Sequence, residues 1–128
     1  MSLVRTKDIS IYYEKSSKKK NGPLLYISGS GSDLRNKPNH FDSPLAEYFE
    51  LIGYDQRGLG QTSKPEGIYT MLQYADDAAD LLDSLGLNKV PVVGVSFGGM
   101  VAQEFAIRHP NKVSKLVLCC TSSGGKGG

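Results

Sequence analysis

The segment Gly94-Val95-Ser96-Phe97-Gly98-Gly99 constrains this chain more than any other. It follows the apolar run 90–93 directly and opens an amphipathic stretch that reaches Arg108, where Pro110 stops it. A Gly-x-Ser-x-Gly turn between a buried strand and a helix holds its serine in a strained backbone conformation. Glycines at 94 and 98 let the strand and helix approach without side-chain collisions. The hydroxyl then projects from the carboxyl end of a sheet, where open α/β sheets place their ligands. A helix starting near Phe97 also offers a free backbone N–H and the positive end of its dipole, both suited to an oxyanion. Ser96 is therefore read as a nucleophile and the Phe97 N–H as an oxyanion donor; the plain alternative is a glycine-rich turn with an incidental serine.

The order of the remaining elements fits that reading. Two short β-rich stretches within 4–13 predict an opening antiparallel pair. The runs 24–27 and 90–93 lack polar alternation, the habit of parallel strands covered on both faces. A short helix is expected over 44–49, a strand over 51–54, and a final apolar strand over 115–120. Thr70 can cap a helix whose Leu72, Ala75, Ala79, Leu82 and Leu85 share one face, with Gly86 at its stop. Asp76, Asp77, Asp80 and Asp83 then read as its solvated face. Strands alternating with helices in this way predict one α/β domain over 1–128 with a mostly parallel sheet and flanking helices. Residues 121–128 read as a flexible glycine-rich tail.

Composition narrows the function classes. A 39% hydrophobic, 22% charged chain can bury a core, and a net charge of +2 points to neither nucleic acid nor an anionic membrane. Lys18-Lys19-Lys20 running into Asn21-Gly22-Pro23 reads as a solvated hairpin turn. No apolar run approaches the ~20 residues of a membrane span and the start lacks a signal-peptide core, so a cytoplasmic location is the default expectation. Adjacent Cys119 and Cys120 are poorly placed to bridge each other and read as small buried hydrophobes. His40 and His109 lie at no metal-ligand spacing to a cysteine. The glycines at 29 and 31 fail the dinucleotide fingerprint because Leu34 stands where the third belongs, and Gly124–Gly128 lacks phosphate-loop spacing. No cofactor is expected.

With the turn at 94–99, the later Arg108-His109-Pro110 and the loop Asp55-Gln56-Arg57-Gly58-Leu59-Gly60-Gln61-Thr62, the chain resembles the α/β-hydrolase family along nearly its whole length. Residues 91–120 look closest to small serine esterases and enol-lactonases. The 55–62 loop is similar to the family's Asp-x-Arg-Gly-x-Gly-x-Ser segment, with Thr62 in the serine place. The resemblance implies the first six strands of that fold and a second oxyanion donor after the strand at 24–27. The family commonly has His-Gly there, and this chain has Ser28-Gly29-Ser30-Gly31, which assigns the donor to the backbone N–H of Ser30. The implied substrate is a small carboxylic ester, lactone or related acyl compound.

A serine hydroxyl near its free pKa is a weak nucleophile and needs a histidine base oriented by an acid. In the family these follow the serine in the order Ser, acid, His. Here no histidine follows His109, which sits one helix length, roughly 18 Å at ~1.5 Å per residue, from Ser96. His40 reads as structural or solvated, and Glu104 lies on the helix itself. Family domains run to ~200–250 residues, so the resemblance covers an amino-terminal half, and the strand ending at Cys120 is expected to be left as an edge. Such an edge invites pairing with a second copy or a complementary chain. A noncatalytic binding or assembly module that keeps the turn for folding alone is the other reading.

Overall fold

The computed structural model describes residues 2–29 and 33–122. Six strands form one sheet: β1 (Ser2–Arg5), β2 (Ser10–Lys15), β3 (Pro23–Ile27), β4 (Glu50–Tyr54), β5 (Val90–Val95) and β6 (Val113–Cys119). Their order is β1-β2-β4-β3-β5-β6. β1 pairs antiparallel with β2 and β2 with β4, whereas β4, β3, β5 and β6 run parallel. The helices are α1 (Leu45–Tyr48), α2 (Met71–Ser84) and α3 (Phe97–Arg108), with 3-10 turns at His40–Asp42 and Pro110–Lys112. The expected fold, a mostly parallel sheet with helices on its faces, is the one observed.

The unalternating strands are buried on both sides, as parallel strands must be. Leu25, Ile27, Ile52 and Val92 face a core shared with Ala75, Leu81, Leu82, Val101 and Phe105 of α2 and α3. Leu24, Leu51 and Val93 face a smaller cluster completed by Phe41, Leu45 and Phe49. Burying Phe105 fully contributes roughly 2–3 kcal/mol. α2 begins on a reciprocal capping box between Thr70 and Gln73 and is followed by Gly86 at φ +73°, a left-handed stop.

Four expectations need correction. The Lys18-Lys19-Lys20 segment does sit in a turn, closed by the Gly22 N–H on Lys19 O at 3.0 Å, but it is no hairpin. β4 inserts between β2 and β3 and pairs with both, so the segment crosses over a strand. The buried face of α2 is wider than the predicted stripe: Ala78 and Leu81 are fully buried and Leu72 is 47% exposed. That extra row carries Asp77 inward with Leu81, so Asp77 is buried and does not belong to a solvated face. Cys119 and Cys120 are exposed. β6 pairs only with β5 among the described residues, which leaves Leu116, Val117 and Leu118 open on the sheet edge alongside them.

His40 is structural. It stacks on Tyr26 with ring centroids 4.2 Å apart, and its Nε2 occupies the space a side chain on Gly53 would fill. Burial pushes its pKa down to about 4, with nearby Glu14 and Asp42 opposing and Lys37 assisting. Because the folded value lies below the unfolded value of ~6.5, the unfolded chain takes up a proton first as pH falls. Stability present above pH ~6.5 is thus expected to decline toward pH ~4, by on the order of 3 kcal/mol at 1.36 kcal/mol per pKa unit. Urea unfolding of wild type and His40→Gln across pH 7 to 5 checks this. Parallel pH dependences in the two proteins would remove His40 as the source.

Candidate active site

β5 ends at Val95 and α3 begins at Phe97, so the whole change of chain direction falls on Ser96. Its φ of 56° and ψ of −122° place it, with Cys120, as one of two non-glycine residues at positive φ among the described residues. Such a conformation costs on the order of 1–3 kcal/mol and persists only when its surroundings enforce it. The enforcing contacts are explicit. The Ser96 N–H donates to Cys119 O at 2.9 Å, and Ser96 O accepts from the Gly99 N–H at 2.9 Å and from Thr121 Oγ1 at 2.7 Å.

Three glycines make the junction possible. A Cβ at Gly94 would lie 2.6 Å from Gly98 O, and one at Gly99 would lie 2.5 Å from the Thr121 side chain. One at Gly98 would overlap Ile27 O and lie 2.5 Å from Ser28 O. The chain after β3 is thereby drawn against the turn: a Cβ built on Gly29 would be 3.5 Å from Ser96 Cβ and 3.9 Å from its Oγ. The Ser96 side chain is exposed, and a cleft of about 440 Å³ opens beside it, lined by Ser96, Phe97, Met100, Cys120, Thr121 and Ser122. Because α3 starts at Phe97, that residue's N–H has no intrahelical acceptor and stands at the positive end of a 12-residue helix.

The 55–62 loop packs beneath this site. The buried Asp55 carboxylate accepts from the N–H groups of Leu34, at 2.7 Å, and Gln61, at 2.9 Å, tying the two loops together. Burial pushes its pKa up against those hydrogen bonds. Thr62 Oγ1 donates to Asp55 O at 2.6 Å and accepts from Tyr12 N–H at 3.0 Å, so threonine supplies both bonds a serine hydroxyl could make there. Arg57 reaches Asp77 of α2 through two hydrogen bonds of 2.7 and 2.8 Å, both side chains being 5% exposed.

Ser96 and Phe97 thus stand at the turn with Gly29 of the β3 loop beside them, while Ser30 itself lies outside the described residues. Among the described residues no histidine or carboxylate hydrogen-bonds Ser96 Oγ. His40 is packed against Gly53, and His109 Nε2 lies 2.9 Å from Asp76, which also pairs with Arg108. No group of three His, Cys, Asp or Glu among the described residues is placed to hold a metal ion. No described helix is long and apolar enough to cross a membrane. Sequence reasoning missed Gly29, Gln56, Asp77 and Thr121 as parts of the site's framework. Thr121 fell in the stretch read as a flexible tail, yet Thr121 Oγ1 donates to Ser96 O and Ser122 O accepts from Gln103 Nε2 at 2.7 Å, while residues 123–128 lie outside the described residues.

This strand-turn-helix site on a mostly parallel sheet defines a class, and comparison places the chain within it. A family model described as "alpha/beta hydrolase fold" matches residues 22–125, and the chain belongs to that family. It is 38% identical over 102 residues to a poly(3-hydroxyalkanoate) depolymerase of Ectopseudomonas oleovorans, covering 80% of this chain and 36% of that protein. Among solved structures, a hydrolase from Pseudomonas aeruginosa PA01 superposes with a TM-score of 0.87 at 31% identity, covering 98% of this chain and 48% of that one. The enol-lactonase from Burkholderia xenovorans LB400 shares the fold, with a TM-score of 0.85 at 24% identity over 95% of this chain and 47% of that one. The family is one of hydrolases, and the chain spans about a third of the length of the curated relatives it matches.

Proposed function

We propose that this chain carries the nucleophile of a serine hydrolase acting on a small ester, lactone or related acyl substrate. The observation that carries this reading is the Ser96 backbone, at φ 56° between β5 and α3, with its hydroxyl exposed beside an open cleft. In this reading Ser96 Oγ attacks the substrate carbonyl carbon while a base takes its proton. The carbonyl oxygen becomes an oxyanion, held by the Phe97 N–H and by the N–H of Ser30 on the β3 loop. Collapse of this tetrahedral species breaks the bond to the leaving oxygen, which takes the proton back from the base, so that the alcohol departs or the lactone opens and an acyl group stays on Ser96 until water removes it. Both histidines in the sequence are engaged in packing or with Asp76, so the reading assigns the base and its acid to residues outside these 128.

The test supplies the base in solution. A fluorophosphonate probe with added imidazole is expected to modify wild type on the peptide holding Ser96, faster as imidazole rises, and to leave Ser96→Ala unmodified. Wild type that stays unmodified at every imidazole concentration favours a second reading. That reading is a noncatalytic assembly module, and the specific observation behind it is the open face of β6, where Leu116, Val117 and Leu118 are 37–51% exposed. In either case β6 is proposed to pair with a second copy or a complementary chain, an association read by light scattering.

A further inference from the structure

We propose that Gln56 is a positioning residue that fixes the Ser28–Gly29 peptide beside Ser96; this rests on the hydrolase reading above. Gln56 follows Asp55 at the end of β4, the strand next to β3, and is 2% exposed. Its Nε2 donates to Ser28 O at 2.9 Å. On its other side the same carbonyl faces Gly98, where a Cβ would lie 2.5 Å away. Ser28 O is therefore clamped between a buried amide and the first turn of α3. A trans peptide is planar, so fixing that carbonyl also fixes the Gly29 N–H, which points the opposite way. Gly29 is the residue whose Cβ position lies 3.5 Å from Ser96 Cβ, and the chain runs from it into the loop assigned the second oxyanion donor. A donor aimed at developing charge is effective only if its orientation is set before the reaction.

The other end of the side chain points to a role beyond stability. Gln56 Oε1 is buried and has no hydrogen-bond partner among the described residues. A buried amide with one end unpaired loses the solvation of that end without replacement, a cost comparable to the bond its other end makes. An unbranched apolar side chain of similar size would remove that cost while leaving Ser28 O without this donor, so the two changes largely offset each other. What methionine could not do is hold Ser28 O.

The experiment compares wild type with Gln56→Met and Gln56→Leu, neither of which can donate to the carbonyl. Three readouts are needed: urea unfolding, backbone ¹⁵N relaxation at Gly29, and the imidazole-assisted fluorophosphonate rate. Gln56→Met is expected to unfold at a urea concentration close to that of wild type, yet to drop the Gly29 order parameter from the rigid range toward the flexible one, below ~0.6. Its labelling rate is expected to fall at least tenfold, and Gln56→Leu is expected to reproduce both losses. An unchanged Gly29 order parameter in a stable Gln56→Met protein overturns the proposal. So does a labelling loss that only tracks lowered stability. If wild type itself is not labelled, the hydrolase reading fails while relaxation at Gly29 still decides whether Gln56 holds the peptide.

Discussion

Gly98→Ala is expected to lower the unfolding free energy by about 3 kcal/mol, although alanine is the better helix former by up to ~1 kcal/mol. Two effects oppose each other here, and their magnitudes decide the sign. Gly98 lies in the first turn of α3, so propensity alone predicts a gain. The new methyl group would overlap Ile27 O and approach Ser28 O to 2.5 Å, and both are main-chain atoms that no rotamer change can move. Overpacking against yielding side chains costs 1–3 kcal/mol, and fixed backbone raises it toward or beyond the upper end. Gly86→Ala provides the contrast. Gly86 has open space around its Cα but a φ of +73°, so its penalty is the left-handed strain alone, ~1–2 kcal/mol. Urea titrations of the three proteins measure both penalties. A Gly98→Ala midpoint at or above wild type would show that the β3 loop gives way, and with it the close approach that brings Gly29 to Ser96.

Local signals account for what the sequence made legible. The turn at Ser96 needs glycines at fixed spacing, the α2 start needs Thr70 with Gln73 three residues on, and the helix stops need Gly86 and Pro110. Each of these constraints acts between residues a few positions apart. What escaped depends on partners distant in sequence. Asp77 looked like its acidic neighbours Asp76, Asp80 and Asp83, because its burial follows from Arg57, twenty positions earlier, reaching α2. The turn after β2 looked like a hairpin because nothing near it records that β4, arriving some thirty residues later, takes the place beside β2. Cys119 and Cys120 are apolar enough for a core, but among the described residues β6 has β5 alone beside it, a placement that composition does not report. Gln56 gave no signal, since its role lies in a bond to a main-chain carbonyl just past the end of β3.

The Arg57–Asp77 pair carries the largest expected effect on stability. Both groups are 5% exposed, the pairing is bidentate, and burial pushes the Asp77 pKa up even against the pull of Arg57. Each charge is tolerable inside only while the other is present. Arg57→Ala is therefore expected to cost about 3–5 kcal/mol, because it strands a buried carboxylate. It also removes the guanidinium lying 5.7 Å from the Tyr69 ring centroid, which packs against Gly58 of the same loop. Replacing both partners, Arg57→Met with Asp77→Leu, is expected to recover most of the loss, since apolar side chains of similar volume bear no desolvation penalty. Urea unfolding of the two singles and the double gives the coupling energy. A double mutant as unstable as the sum of its singles would mean that the pair contributes through packing alone. Recovery of stability would separate two jobs that one ion pair performs. The apolar pair can hold α2 against the 55–62 loop, but it carries no bidentate geometry to set the loop's register. Gly29 relaxation in the recovered double mutant then reads whether that register, passed through Gln56, reaches the serine turn.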